Sequence, residues 1–210
     1  MTTAYEDLLD RDLQRALREG SLHFEEKSAV HQTLRRIADR LAELGIPYAI
    51  AGGMALFFHG FRRFTEDVDV LVTRDGLEQL RQGLTGLGYL PLFEGSRNLR
   101  DTESGVRIEF LVTGEYPGDG KPKPVSFPDP GEASVEEEGV RWLSLPRLVE
   151  LKIASGMTNP GRLRDLADVQ ELIRTLRLPA DFGQQLGTFV QGKYQELWDS
   201  VQGDSENPDG

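Results

Sequence analysis

Apolar residues recur along this chain at two spacings, one helical and one alternating, and the switches between them mark its elements. Over residues 3–19, Leu9, Leu13 and Ala16 fall at helical spacing. Thr3 with Glu6 forms a capping-box signature and Gly20 a stop, so one amphipathic helix is predicted. A second helix is predicted from Glu26 to Leu44, where Val30, Leu34, Ile37, Leu41 and Leu44 form one stripe. His31 lies beside that stripe and reads as an ordinary, partly buried histidine. Gly45-Ile46-Pro47 ends the helix and leads into a short apolar strand, Tyr48 to Ala51. Gly52-Gly53 follows, then a helical apolar run, MALFFH, stopped by Gly60.

Val68, Val70 and Val72 alternate, which predicts a strand over residues 67–72. Asp75 and Glu78 open another helix, with Leu77, Leu80, Leu84 and Leu87 as its apolar face and Gly88 as its end. From Tyr89 to Thr113 the pattern is antiparallel β. Arg97 to Asp101, a turn at 103–105 and the alternating Val106, Ile108, Phe110 and Val112 make a hairpin. Nine of the eighteen residues from 114 to 131 are Gly or Pro, which predicts a loop. Lys121 and Lys123 within it read as solvated. A strand at Val140–Leu143 precedes a helix capped by Ser144 with Pro146 in its first turn. Two more helices follow, one with the stripe Leu166, Val169, Ile173 and Leu176, the other over residues 181–201. Strands and helices that alternate this way predict an α/β (α+β) fold, a mixed sheet flanked by helices. The expected division is an N-terminal helix (1–25), a core (26–143), a small C-terminal helical part (144–201) and a polar, disordered tail (202–210).

Charge and composition narrow the classes of function. Net charge is −11, which disfavours loose attraction to nucleic acid or anionic membrane. Between Arg141 and Arg177, however, seven basic residues face four acidic ones. That segment is either a surface for a polyanion or an ordinary helix surface. The absence of cysteine excludes disulfides, thiolate nucleophiles and cysteine-based zinc sites. No stretch approaches the 18 apolar residues of a membrane span, and the first residues lack a signal-peptide pattern. A cytoplasmic location with no membrane partner is expected.

The candidate chemistry lies in residues 48–72. A glycine pair between strand and helix lets a phosphate approach the backbone, although such pairs are also common turn chemistry. Asp67 and Asp69 share the strand face opposite the valines, their Cα atoms about 6.6 Å apart. Two carboxylates about 6 Å apart repel by about 3 kcal/mol at an effective dielectric of 20. A divalent cation reverses that sign, and magnesium leaves coordination positions for water and substrate phosphates. Glu109, between Ile108 and Phe110, is either on an exposed face, paired with an arginine such as Arg107, or a metal ligand. Lys152 falls beside the apolar face of its helix, where a lysine snorkels or meets an anion. Asp165 and Asp168, three apart, neighbour one another on the next helix.

The run AGGMAL, followed by R-x-T-x-D-V-D-V, resembles the core of the polymerase-β-type nucleotidyltransferase superfamily. It is most similar to the bacterial branch that contains the AbiEii-like toxins, and the resemblance covers residues 28–177. It implies a nucleotidyltransferase fold and transfer of a nucleoside monophosphate from a nucleoside triphosphate to an acceptor. It implies Mg2+ or Mn2+ held by Asp67, Asp69 and Glu109, and nucleotide contacts from Gly52, Gly53, Arg63, Thr65 and Lys152. One of Asp165 and Asp168 joins that set. An RNA or protein acceptor and an antitoxin-like partner follow for a toxin. The alternatives are a small-molecule acceptor of the aminoglycoside kind, or a non-catalytic nucleotide-binding protein. Many active members carry Ser where this chain has Gly53.

Overall fold

Asp12 divides the N-terminal apolar pattern in two. In the computed structural model, which describes residues 3–84 and 86–206, the single helix expected over 3–19 is two, α1 (Tyr5–Arg11) and α2 (Leu13–Phe24). The Asp12 carboxylate caps α2 by accepting the Arg15 N–H at 3.0 Å. The break lets Tyr5 and Leu9 bury, whereas Leu13 points to solvent. Gly20 does not end α2. The helix continues for another turn because Glu19 and His23 are buried, and tertiary burial outweighs the roughly 1 kcal/mol that glycine costs a helix. Helix α3 (Ala29–Glu43) starts later than expected, at Ser28, whose Oγ accepts the His31 N–H. Val30, Leu34, Ile37 and Leu41 are buried, and so is His31; Leu44 lies past the helix end and is exposed.

Strand β1 (Tyr48–Ile50), helix α4 (Gly52–Phe58) and strand β2 (Asp67–Val72) place the glycine pair beside the aspartates. β1 and β2 are antiparallel, with Tyr48 opposite Val72 and Ile50 opposite Val70. A short helix between them takes the chain out and back at the same end of these neighbouring strands, so the end of β1 meets the start of β2. Helix α5 (Arg74–Leu84) is capped by Thr73 Oγ1, which accepts the Gly76 N–H. It ends before Leu87, which is exposed instead of completing the stripe. Gly86 and Gly88, both at positive φ, turn the chain there.

Strands β3 (Tyr89–Pro91), β4 (Leu99–Asp101) and β5 (Arg107–Val112) form an antiparallel meander, and β5 pairs in parallel with β2. A short helix, α6 (Pro130–Ala133), ends the expected loop. Strand β6 (Ser134–Glu137) was not legible, because SVEE is polar and exposed in the manner of an edge strand. It pairs with β7 (Val140–Leu143), and the seven strands run β3-β4-β5-β2-β1-β7-β6. The result is the expected mixed sheet.

The sheet is covered on both faces. Val68, Val70, Val72, Ile108 and Phe110 pack towards α1, α3 and α5. Ala49, Leu71 and Leu143 pack towards α7 (Leu145–Thr158), α8 (Leu163–Leu176) and α9 (Thr188–Glu206). Ser144 takes the cap position of α7, but its side chain makes no capping bond. The helix expected over 181–201 is a 3-10 turn, Ala180–Gln185, followed by α9. That helix runs on to Glu206, through the start of the stretch expected to be a disordered tail; residues 207–210 lie outside the described residues. Among the described residues, no helix is long and apolar enough to cross a membrane.

Candidate active site

Two strand starts and one turn build the site. On β2, Asp67 and Asp69 alternate with the buried Val68 and Val70 and so emerge on the face turned towards α7 and α8. The parallel register with β5 sets Arg107 beside Asp67 and Glu109 beside Asp69. These residues, with Gly52, Gly53, Arg63, Thr65, Lys152 and Asp165, line one cavity of about 1310 Å3. Asp168 lies behind that lining.

The glycine pair fits against the carboxylate strand. The Ala51 N–H donates to Asp69 O at 2.9 Å, continuing the β1–β2 ladder. Gly52 has φ +56°, and a Cβ there would lie 1.7 Å from Asp69 Oδ2. A Cβ on Gly53 would lie 2.7 Å from Thr65 Oγ1. The Thr65 hydroxyl therefore occupies the space beside Gly53, and it donates to Asp67 Oδ1 at 2.8 Å.

The three carboxylates are not equally partnered. Arg107 Nη2 donates to Asp67 Oδ2 at 3.0 Å, and its Nη1 lies 3.2 Å from Glu109 Oε1. Among the described residues, no hydrogen bond or ion pair reaches the Asp69 carboxylate. Burial, with the like charges of Asp67 and Glu109, pushes the Asp69 carboxyl up to about 7, against the pull of Lys152 and Arg162. Burial also raises Glu66, helped by Asp10 and Asp67. Among the described residues, no three carboxylate or imidazole side chains are gathered closely enough to hold a metal ion as they stand. The donor set nevertheless suits a hard divalent cation: three carboxylates on adjoining strands, all oxygen ligands, with the central one unpaired.

On the opposite wall, Lys152 is buried in an ion network. Its Nζ donates to Asp165 Oδ1 at 2.9 Å and to Asp168 Oδ2 at 2.7 Å. Ser155 Oγ, one turn along α7, donates to Asp165 Oδ2 at 2.6 Å, and Arg162 Nε to the same oxygen at 2.9 Å. Burial alone would raise the Asp165 carboxyl; Lys152, Ser155 and Arg162 outweigh it and hold the group below the usual range. Arg63 completes the network through Asp168, with Nη2 donating at 3.2 Å and Nε 3.0 Å from Oδ1. Lys152, Asp165, Asp168 and Arg63 thus tie the segment before β2 to α7 and α8. Sequence reasoning missed Ser155; its spacing of three from Lys152 was the available signal.

The loop over 114–131 is strapped down, and Lys123 is the strap. Its side chain is almost fully buried, and its Nζ donates to Pro117 O, Asp119 Oδ1 and Thr158 Oγ1. The expectation of a solvated lysine fails because the loop folds back onto the end of α7, where Asn159 Nδ2 also donates to Gly118 O.

No protein-family model and no curated protein matches this chain. Solved structures do. A solution structure of the antibiotic-resistance factor ANT(2″)-Ia is similar at 13% identity, covering 83% of this chain and 96% of that one, with a TM-score of 0.51. The fold is that of the nucleotidyltransferases. A crystal structure of ANT(2″)-Ia in complex with adenylyl-2″-tobramycin is similar at 13% identity, with 83% and 97% coverage and a TM-score of 0.50. A nucleotidyltransferase-like protein from Paracoccidioides brasiliensis shares 18% identity over 81% of this chain and 91% of its own, with a TM-score of 0.47.

Proposed function

We propose that the protein is a nucleotidyltransferase that moves a nucleoside monophosphate from a nucleoside triphosphate to an acceptor hydroxyl. The observation that carries this reading is the seating of Asp69, unpaired, between Gly52 and the flanking Asp67 and Glu109 on a nucleotidyltransferase fold. In the reaction, the acceptor oxygen bonds to the α-phosphorus and the bond to the β-phosphate oxygen breaks, releasing pyrophosphate. The acceptor proton passes to a carboxylate of the site, with Glu109 as the assigned base. Asp67, Asp69 and Glu109 would hold Mg2+ or Mn2+, which supplies charge stabilisation for the attacking and leaving oxygens. Gly52 and Gly53 let the phosphates approach the backbone at the start of α4. Thr65 fixes Asp67 and fills the space beside Gly53, so a larger residue at 53 is incompatible with this packing. Lys152 and Arg63 hold Asp165 and Asp168 and set the opposite wall; Asp165 is the one that faces the cavity.

For the acceptor, the basic segment favours a small cationic molecule over RNA. Five of its seven basic residues are spent on carboxylates: Arg141 on Glu136, Arg147 on Glu150, Lys152 and Arg162 on Asp165, and Arg174 on Glu171. A net charge of −11 attracts cations, and the small acceptor named for the ANT(2″)-Ia complex is tobramycin. The toxin-type reading, with an RNA or protein acceptor and an antitoxin-like partner, rests on the AGGMAL run and the R-x-T-x-D-V-D-V motif that follows it.

Transfer of label from α-labelled ATP, CTP, GTP or UTP onto a panel of aminoglycosides and tRNA tests the reaction and the acceptor together. Asp67→Asn, Asp69→Asn and Glu109→Gln should each abolish transfer while leaving the melting temperature near that of the wild type. Calorimetry with a non-hydrolysable triphosphate should show binding with Mg2+ or Mn2+ and none in EDTA. Equal affinity in EDTA would refute the metal assignment.

A further inference from the structure

Arg107 stands where the site is short of positive charge. It reaches Asp67 with one nitrogen of its fork and Glu109 with the other, across the β2–β5 ladder, and leaves Asp69 between them without a partner. Its side chain is 38% exposed. Among the described residues no other ion pair holds it, and it has room to turn into the cavity it lines. A guanidinium bridging two carboxylates at a half-open surface is weakly held. Asp67 and Glu109 are thus kept together by a cation that can leave.

We infer that Arg107 is an exchangeable counter-ion of the carboxylate site. It occupies Asp67 and Glu109 in the free protein, yields them to the divalent ion, and then turns its guanidinium to the triphosphate. The inference rests on the metal-dependent reading above and adds a coupling to it. An ion alone must displace Arg107 into solvent, whereas an ion arriving with a triphosphate offers the guanidinium phosphate oxygens that match its fork. Metal and nucleotide therefore bind cooperatively, and by linkage each strengthens the other by the same factor. Arg107 acts as a positioning residue for the carboxylates and as a contact for the nucleotide in turn.

The test is Mn2+ binding, read from the free-ion electron paramagnetic resonance signal, on the full chain after chelator treatment. Wild type, Arg107→Gln, Arg107→Lys and Arg164→Gln are compared with and without α,β-methylene ATP. Arg164 lines the same cavity and has no ion pair among the described residues, so it controls for loss of a nearby charge. Arg107→Gln should bind Mn2+ alone at least tenfold more tightly than wild type and lose most of the tightening that the nucleotide gives wild type. Arg107→Lys, which keeps charge without the fork, should fall between them and covers the case in which Arg107→Gln does not fold. Arg164→Gln should bind Mn2+ like wild type. Equal Mn2+ affinity in wild type and both Arg107 variants would overturn the exchange while leaving the metal site in place. An equal gain in Arg164→Gln would also overturn it, by reducing the effect to net charge. Failure of every protein to bind Mn2+, even with nucleotide, would remove both the inference and the reading it rests on.

Discussion

Gly52 is the tightest point of the site, and one added carbon tests it. Its φ of +56° lies in the left-handed region, and a Cβ would meet the Asp69 carboxylate. Gly52→Ala should destabilise the fold by about 1–3 kcal/mol for the backbone alone and push Asp69 aside. Urea denaturation and triphosphate titration on that variant should both register the change. Lys152 makes the opposite kind of prediction. Its position beside an apolar helix face left it to snorkel or meet an anion, and the anions it meets are Asp165 and Asp168. Lys152→Met would leave two buried carboxylates short of a cation. It should cost about 3 kcal/mol, the scale for breaking a buried pair from one side. Unchanged stability in urea would show that Arg63, Ser155 and Arg162 satisfy both aspartates without it.

Between helices α2 and α3 a pair of buried histidines makes stability sensitive to acid. Their rings lie 4.8 Å apart, Ser28 Oγ is 3.0 Å from His31 Nδ1, and His23 Nε2 is 3.0 Å from Arg63 O. Burial lowers both, with His31 brought down to about 4, helped by the charges of His23 and Arg35. Above the ordinary histidine value of about 6.5, both states are neutral and no proton is at stake. As pH falls from there towards 4, the unfolded chain takes up the proton and the folded one refuses it, so stability drains away across that window. For His31 the loss amounts to about 3 kcal/mol at the acid end. His31→Phe, which keeps a ring against Phe57, should flatten the pH dependence of urea denaturation between 6.5 and 4. A slope equal to that of wild type would place the acid sensitivity elsewhere.

For the whole molecule, the C-terminal helices are the second layer of one sheet. Leu71 of β2 and Leu143 of β7 share a cluster with Ile153, Val169 and Val190. Helices α7 to α9 thus cover the face on which Asp67, Asp69 and Glu109 emerge. We expect residues 26–143 and 144–201 to unfold together. The two tryptophans test this, since Trp142 stacks on Phe58 in the sheet layer and Trp198 donates to Leu178 O in the helical layer. Single-tryptophan variants should give one midpoint in urea, coincident with far-UV circular dichroism. Two midpoints would make the helical part an independent domain.

The sequence by itself determined which residues alternate and which recur at helical spacing. Those periodicities located β2, the α3 stripe and the common face of Asp67 and Asp69, because a side chain's direction along a strand or helix is local geometry. The Gly52-Gly53 turn was legible for the same reason. Tertiary structure decided what each polar side chain meets. Gly20 carries a local stop signal that burial of Glu19 and His23 overrides. SVEE shows no strand until β7 lies beside it. Lys123, Lys152 and Arg107 are alike in sequence as cations near carboxylates, yet one straps a loop, one sits in a buried network and one spans two strands. Which of these a cation becomes depends on partners distant in the chain, and pairing across the sheet and between helices brings those partners within about 3 Å only in the folded protein.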